Sequence, residues 1–242
     1  MPDQLNDERL LKMKKLVIIP TYNEIENMQT LLPILMNLPE AFDVLIVDDS
    51  SPDNTAGFVF EFGKKNPRVN LLLRGSKSGL GKAYIAGFKW GIDRGYEAMV
   101  EMDADFSHRP EDLVKILKEL EKSDVVIGSR YVEGGSTVNW GFIRKLISRG
   151  GGVYSRLILG YPVQDWTGGF NGWRTQVLKD INLDGIQSNG YSFQIELKYK
   201  AQKCGYKVVE VPIVFEDRRV GQSKMSLKIV LEAFYKVWLI RS

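Results

Sequence analysis

Asp103 and Asp105 stand one residue apart in the stretch VEMDADFSHRPEDL, just ahead of Ser107 and the chain's single histidine, His108. At an extended strand end, residues i and i+2 point the same way, so both carboxylates can face one small volume. Two anions held that close repel unless a cation joins them, and hard oxygen ligands favour Mg²⁺ or Mn²⁺ bridging to phosphates. A solvated acidic turn is the competing reading of the same tripeptide. Glu111 and Asp112 have a simpler explanation, since Pro110 suits the first turn of a helix and acids suit its N-terminus. His108, lone and beside that helix start, lacks a partner for metal or nucleophile chemistry and is assigned to local structure.

Asp48 and Asp49 follow the apolar run DVLIV. A carboxylate at the end of a parallel strand can accept hydrogen bonds from a nucleotide's base or ribose, while an Asx-turn opening SSPDNT accounts for only one of the two acids. GSKSGLGKA, Gly75 to Ala83, invites comparison with a phosphate loop but fails the template twice, having Ser76 where Gly is required and Ala83 where Ser or Thr is required. Gly79 and Gly81 are read instead as turn or close-approach positions that open a helix, with ligand contact as a further role. No G-x-G-x-x-G follows the first strand, which counts against a nicotinamide or flavin site.

The segment FIRKLISRGGGVYSRLIL is periodic. At 100° per residue, Phe142, Ile143, Leu146, Ile147, Val153, Tyr154, Leu157 and Ile158 fill one arc, and Arg144, Lys145, Ser148, Arg149, Ser155 and Arg156 the other. Such a basic amphipathic helix either lies on an anionic lipid surface or covers a core, and the run Gly150 to Gly152 implies a bend or mobility. Arg144 and Ser148, four apart, share a face suited to an anionic oxygen group. Near the C-terminus, FEDRRVGQSKMS places Arg218, Arg219 and Lys224 around Gly221, either a loop closing over a phosphate-bearing ligand or ordinary surface charge.

These groups must be held by something, and the rest of the chain supplies it. From Lys15 to about Arg130, the short β-rich runs KLVIIP, DVLIVD, VNLLLR, AMVEMD and DVVIGS alternate with segments of helical period. That grammar predicts a mostly parallel sheet with helices on both faces and ligands beyond the C-terminal ends of its strands. Three acidic or polar loops then converge on one rim, and Asn23 with Glu26 reads as a capping box for the first helix. The second half is less regular. WTGGFNGWR reads as a Gly-rich strand or loop, GYSFQIELKYKAQKCG as a helix ending at Gly205, and YKVVEVPIVF as a further strand. Without a linker, repeat or low-complexity tract, residues 1–242 are expected to form a single domain.

At 242 residues and 44% hydrophobic content the chain can bury a sizeable core, and a net charge of +3 falls short of a nucleic-acid-binding balance. A single cysteine, Cys204, excludes an intramolecular disulfide framework, fits a reducing compartment and is expected to be a small buried filler. The N-terminal residues carry acids and no apolar core of a signal peptide, so the chain is expected to stay in the cytoplasm. No apolar run of about 18 residues occurs, so no segment is expected to span a bilayer.

Taken in order, PTYNE (20–24), VDDSSPDNT (47–55), LGKAYIAG (80–87), MDADFSHRPE (102–111), GSRY (128–131), RKLISRG (144–150), DWTGGF (165–170) and DRRVGQSK (217–224) resemble the dolichyl-phosphate (polyprenyl-phosphate) mannosyltransferases, inverting members of glycosyltransferase family 2. PTYNE with DAD marks the broader family; the SRY, ISRG and DR-x5-K blocks narrow it to the polyprenyl-phosphate branch. The resemblance covers nearly all of the chain after the first fifteen residues and implies a GT-A, Rossmann-like α/β fold. In that fold, residues 1–14 form an N-terminal extension, and 140–160 and 225–242 form amphipathic, membrane-proximal helices.

The activity it implies is transfer of mannose from GDP-mannose to dolichyl or polyprenyl phosphate with inversion, with transfer of glucose from UDP-glucose as the alternative. Matched position by position, Pro20, Tyr22, Glu24, Val47 and Asp49 hold the guanosine. Asp103, Ala104 and Asp105 sit at the diphosphate, with Asp105 the chief ligand of Mg²⁺ or Mn²⁺. Arg130 contacts donor and acceptor phosphates, Arg144 and Ser148 the acceptor phosphate, and Arg218 and Lys224 the donor; Asp103, Asp105 and Arg130 form the catalytic group. Some members have Gln where Ser107 stands, and the shorter hydroxyl is expected to meet the metal only through water. The implied partners are the nucleotide sugar, the lipid phosphate, the cytoplasmic face of a membrane and a membrane-anchoring subunit.

Overall fold

The computed structural model describes residues 13–186, 188–217 and 227–241. Five apolar runs form strands, each ending where its apolar content gives way to turn residues: β1 (Lys15–Thr21), β2 (Asp43–Asp48), β3 (Val69–Leu73), β4 (Ala98–Glu101) and β5 (Val125–Ser129). Between them run α1 (Ile25–Met36), α2 (Thr55–Lys65), α3 (Leu80–Asp93) and α4 (Pro110–Glu119). The later elements are β6 (Ser136–Val138), α5 (Phe142–Leu159), β7 (Asn171–Arg174), α6 (Thr175–Asp180), α7 (Gly190–Lys203), β8 (Val208–Pro212), β9 (Val214–Glu216) and α8 (Leu227–Arg241).

Seven strands make the main sheet in the order β3-β2-β1-β4-β7-β5-β8, and β6 pairs with β9 in a separate parallel ribbon. All neighbours in the main sheet are parallel except β7, which runs antiparallel to both β4 and β5. Side chains alternate across the strands, so the apolar runs feed two cores. Leu16, Ile18, Leu45 and Val47 pack with Tyr84, Phe88 and Phe193 on one face. Val17, Ile19, Val44 and Ile46 pack with Leu31, Leu113 and Ile116 on the other. Burying each such side chain contributes about 1.5–3 kcal/mol relative to exposure.

The expected mostly parallel sheet is present, and the irregular half differs from the sequence reading in detail. WTGGFNGWR yields the short antiparallel β7, which fits against α4 because Gly172 lacks a side chain: a Cβ there would lie 2.6 Å from Leu120 Cδ1. YKVVEVPIVF divides at Ile213, so that β8 stays in the main sheet while β9 leaves to join β6. Asn23 does not cap α1. It sits at φ 60°, and the amides of Asn23, Glu24 and Ile25 donate to Ser51 Oγ, Thr55 Oγ1 and Asp53 Oδ2. Parallel pairing places the loop after β2 beside the loop after β1, and that neighbour outcompetes the local box. Cys204 is exposed rather than a buried filler, because it falls at the solvent-facing end of α7.

Helix α5 continues through Gly150 to Gly152 without a break. A Cβ on Gly152 would lie 2.8 Å from Gln164 O, so that glycine permits close packing rather than a bend. The helix is turned with its small and polar face inward, burying Ser148, Gly152, Ser155 and Leu159. Phe142, Ile143, Leu146 and Leu157 face out with exposures of 79, 72, 64 and 72%. Helix α8 packs beside it, with Tyr154 donating to Phe234 O and accepting from Trp238 Nε1, and it adds exposed Tyr235, Trp238 and Leu239. Among the described residues no helix is long and apolar enough to cross a membrane. Residues 1–12 of the expected extension, and Met225, Ser226 and Ser242 of the expected last helix, lie outside the described residues.

Candidate active site

Strands β2, β1 and β4 are neighbours, so the loops leaving their C-terminal ends lie side by side. Pro20 pairs in register with Val47, Tyr22 follows with its ring under Lys77 Nζ at 3.8 Å, and Glu24 leads into α1. Asp48 is buried and structural: it accepts from Thr21 Oγ1 and from the backbone N–H of Ser51, three residues on rather than the two of the expected Asx-turn. Asp53 is structural too. Burial pushes its carboxyl up, but bonds from Thr55 and Ile25 hold it below the usual range. Asp49 is left to the rim, 3.1 Å from Arg74 Nη1. The structure thus brings Pro20, Tyr22, Glu24, Val47 and Asp49 together.

Beyond β4, Asp103 and Asp105 are half-buried and Ala104 is buried between them. Tyr84 on α3 donates to Asp103 Oδ1 at 3.2 Å, and Asp105 Oδ1 accepts from Ser107 N at 3.1 Å. Tyr84 stays protonated as a donor, since burial first and the Asp103 charge second push its phenol well above the ordinary value. Gly79, at φ 102°, opens α3 as the sequence suggested, and Gly81 leaves room for the Phe193 ring. Ser107 Oγ is buried with no hydrogen-bond partner. Asp103, Asp105 and Ser107 offer oxygen donors of the hard kind that suits Mg²⁺ or Mn²⁺. Among the described residues no group of three or more His, Cys, Asp or Glu side chains could hold a metal ion, so an ion at this turn would take further oxygen ligands from a substrate or water.

His108 reaches further than a local turn. Its Nδ1 accepts the N–H of Asp103 at 3.0 Å, and its ring stacks on Phe170 and meets Phe215 edge-on at 5.5 Å. Burial lowers its pKa against the opposing pull of Asp103 and Asp105, so it rests neutral, with Nδ1 an acceptor and the proton on Nε2.

Arg130, at the end of β5, is almost fully buried. Its Nε and Nη2 donate to Asp165 at 2.7 and 2.6 Å, its backbone N–H donates to the same carboxylate, and Nη2 also reaches Thr167 Oγ1. This leaves Nη1 outside the fork. Burial opposes both charges, yet the pair prevails: Asp165 is held below the usual carboxylate range and Arg130 is raised further. Arg144 Nη1 donates to Asp217 at 2.8 Å, and its guanidinium lies over Trp140 at 4.1 Å. Ser148 Oγ accepts from Tyr131 OH at 2.7 Å, so Arg144 and Ser148 share the inner face of α5 as expected. Arg218 and Lys224 lie outside the described residues.

Behind this rim is a polar network that the sequence reading missed. Lys198, fully buried on α7, donates to the carbonyls of Asp165, Trp166 and Gly168 and so fixes the turn that carries Asp165. Burial lowers its pKa to about 8 against the pull of Asp165 and Glu101. Glu101, buried at the end of β4, accepts from Asn171, Trp173 and Gln194, and burial raises it to about 7. A glutamate inside an apolar strand and an aspartate opening a Gly-rich turn were the available signals.

The mostly parallel sheet, with its carboxylate turn and buried arginine beyond the strand ends, is the frame of a glycosyl transfer enzyme: the chain belongs to the family described as Glycosyl transferase family 2, whose model matches residues 16–181. Among curated proteins it is 48% identical to the undecaprenyl-phosphate mannosyltransferase of Micrococcus luteus, covering 93% of each chain. It is 46% identical to the polyprenol monophosphomannose synthase of Mycolicibacterium smegmatis, covering 94% of this chain and 88% of that one. With the dolichol-phosphate mannosyltransferase of Pyrococcus furiosus it shares 38% identity over 91% of this chain and 61% of the relative. Among solved structures, glucosyl-3-phosphoglycerate synthase from Mycobacterium tuberculosis, in complex with Mn²⁺, UDP and glucosyl-3-phosphoglycerate, aligns with a TM-score of 0.64 at 15% identity. That alignment covers 94% of this chain and 78% of the other and shows the shared fold.

Proposed function

We propose that the chain transfers mannose from GDP-mannose to a polyprenyl phosphate, dolichyl phosphate included, with inversion, as a single GT-A domain on the cytoplasmic face of a membrane. What carries the reading is its 48% identity, over 93% of both chains, to a relative named for mannose transfer to undecaprenyl phosphate. Pro20, Tyr22, Glu24, Val47 and Asp49 would hold the guanosine, and Asp103, Ala104 and Asp105 would meet the diphosphate. Asp105 would be the chief ligand of Mg²⁺ or Mn²⁺, helped by Asp103, with Ser107 contributing through water. When bound, the cation would neutralise charge on the departing diphosphate.

The lipid phosphate is already largely anionic near neutral pH, so its oxygen can attack the anomeric carbon without a strong protein base. The protein's work is then electrostatic and geometric. Arg130 and Arg144 would hold two mutually repelling phosphates in line, and Ser148 would donate to the acceptor phosphate. Arg218 and Lys224 would contact the donor. The outward apolar face of α5, with the exposed aromatic residues of α8, would enter the lipid interface and place Arg144 at headgroup level. A membrane-anchoring partner subunit would strengthen that attachment.

A thermal-shift comparison tests the donor assignment: GDP-mannose with Mn²⁺ should raise the melting temperature well above UDP-glucose at equal concentration. The reverse order would overturn the mannosyl donor in favour of a glucosyl one.

A further inference from the structure

The two arginines assigned to phosphate are joined by a single indole. Trp140 lies between the β6/β9 ribbon and the start of α5 at Phe142. One guanidinium, Arg144, sits over its ring at 4.1 Å, and a second, Arg130, lies 5.4 Å from the ring centre. Phe215, on β9, meets the indole edge-on at 5.4 Å and is also 5.4 Å from Arg130. On its other side Phe215 touches His108, which accepts the Asp103 N–H. Planar groups therefore run without a gap from the carboxylate turn to α5: His108, Phe215, Trp140, Arg144.

Trp140 is an expensive choice for simple packing. It is buried, and its Nε1–H has no hydrogen-bond partner, a cost that Phe or Leu would not incur. What an indole offers beyond volume is the strongest aromatic face for a cation. Asp217 fixes one edge of the Arg144 guanidinium, and the indole fixes its plane. On the reading proposed above, we infer that Trp140 is a positioning residue that holds Arg144 in the orientation that binds the acceptor phosphate and sets its distance from Arg130 and the Asp103 turn. It acts through Arg144 and touches neither substrate.

The test uses the full chain, its Trp140→Leu, Trp140→Phe and Arg144→Ala variants, and the double variant Trp140→Leu/Arg144→Ala. Calorimetry measures affinity for a short polyprenyl phosphate and, separately, for GDP-mannose with Mn²⁺. Trp140→Leu should weaken acceptor binding roughly 3- to 30-fold, the range of a partly desolvated cation–π contact, with GDP-mannose affinity unchanged. Trp140→Phe should recover most of the loss, and the double variant should bind no more weakly than Arg144→Ala alone. In the parent, the Arg144 Nε–H resonance should be displaced by the indole ring current, and in Trp140→Leu it should return to the ordinary position. Unchanged acceptor affinity, equal loss of donor affinity, or a full further loss in the Arg144→Ala background would each overturn the inference. If the ring-current shift is present but the parent binds no polyprenyl phosphate, the acceptor assignment fails and the packing of Trp140 on Arg144 stands as structure without that role.

Discussion

The two sides of the site are built in opposite ways. On the carboxylate side, Asp103 and Asp105 are half-buried in the turn beyond β4, where Asp103 accepts from Tyr84 and Asp105 from the Ser107 amide. On the arginine side, Arg130 is buried in a bidentate pair with Asp165, and that aspartate's turn is pinned by Lys198 from α7. The first arrangement is partly open to solvent; the second is buried and committed before any ligand arrives. An anionic turn that gathers a cation must accept ligands from outside the protein, whereas guanidinium groups that align two phosphates gain from being fixed in advance.

If the arginine side is the preorganised one, damage there should cost folding as well as turnover. Asp165→Asn should lower unfolding free energy by about 3–5 kcal/mol, because it strands the buried Arg130 charge. Urea titration reads this directly, and a loss under 1 kcal/mol would mean the pair is solvated. On the opposite side the signature should reverse. Asp105→Ala should leave the denaturation midpoint nearly unchanged while divalent-dependent turnover falls on the order of 10²-fold or more. Full turnover in that variant would remove Asp105 from the metal site.

A second comparison sets α5 against α4, two amphipathic helices turned in opposite senses. Helix α4 buries Leu113, Ile116 and Leu117, whereas α5 buries Ser148, Gly152, Ser155 and Leu159 and exposes Phe142, Ile143, Leu146 and Leu157. Replacing Phe142, Ile143, Leu146 and Ile147 with polar residues should change stability by no more than about 0.5 kcal/mol per site. Partition onto anionic liposomes should fall about 10-fold or more. Unchanged flotation would mean that α5 is not the membrane contact.

A further prediction concerns Glu101, in the network behind the arginine side. Burial raises its folded pKa to about 7, above the ordinary 4.5, so the folded state holds the extra proton between those values. Its contribution to stability is full below about 4.5 and is lost as pH rises through about 7. His108, whose pKa is lowered, acts with the opposite sign as pH rises toward 6.5, so the informative quantity is a difference. In EDTA, the stability advantage of the parent over Glu101→Gln should shrink from pH 5 to pH 7. An advantage independent of pH would show that Glu101 titrates normally.

Much of the carboxylate side was legible in the sequence, because parallel strands buried on both faces read as apolar runs and the acids that end them stand out. DVLIVD and AMVEMD place Asp48, Asp49, Asp103 and Asp105 with no knowledge of the fold. The arginine side was less legible because its residues take meaning from distant partners. Lys198 bonds to a turn about thirty positions earlier, and Trp140 matters only once Phe215 is folded beneath it. The strand β7, four residues around Gly172, has too little period to announce itself. Asn23 was misread for a related reason: the cap it seemed to offer is supplied instead by Ser51, Asp53 and Thr55 of the neighbouring loop.

The central claim, that the two sides together join a mannosyl donor to a lipid phosphate, meets its most direct test in one assay. Radiolabelled GDP-mannose is supplied with a short polyprenyl phosphate, with and without EDTA. A labelled polyprenyl phosphate mannose product should form, be lost in EDTA and be restored by Mn²⁺ or Mg²⁺. Absence of lipid-linked label under all of these conditions, while labelled UDP-glucose yields it, would show that the two sides do not join a mannosyl donor to the lipid phosphate.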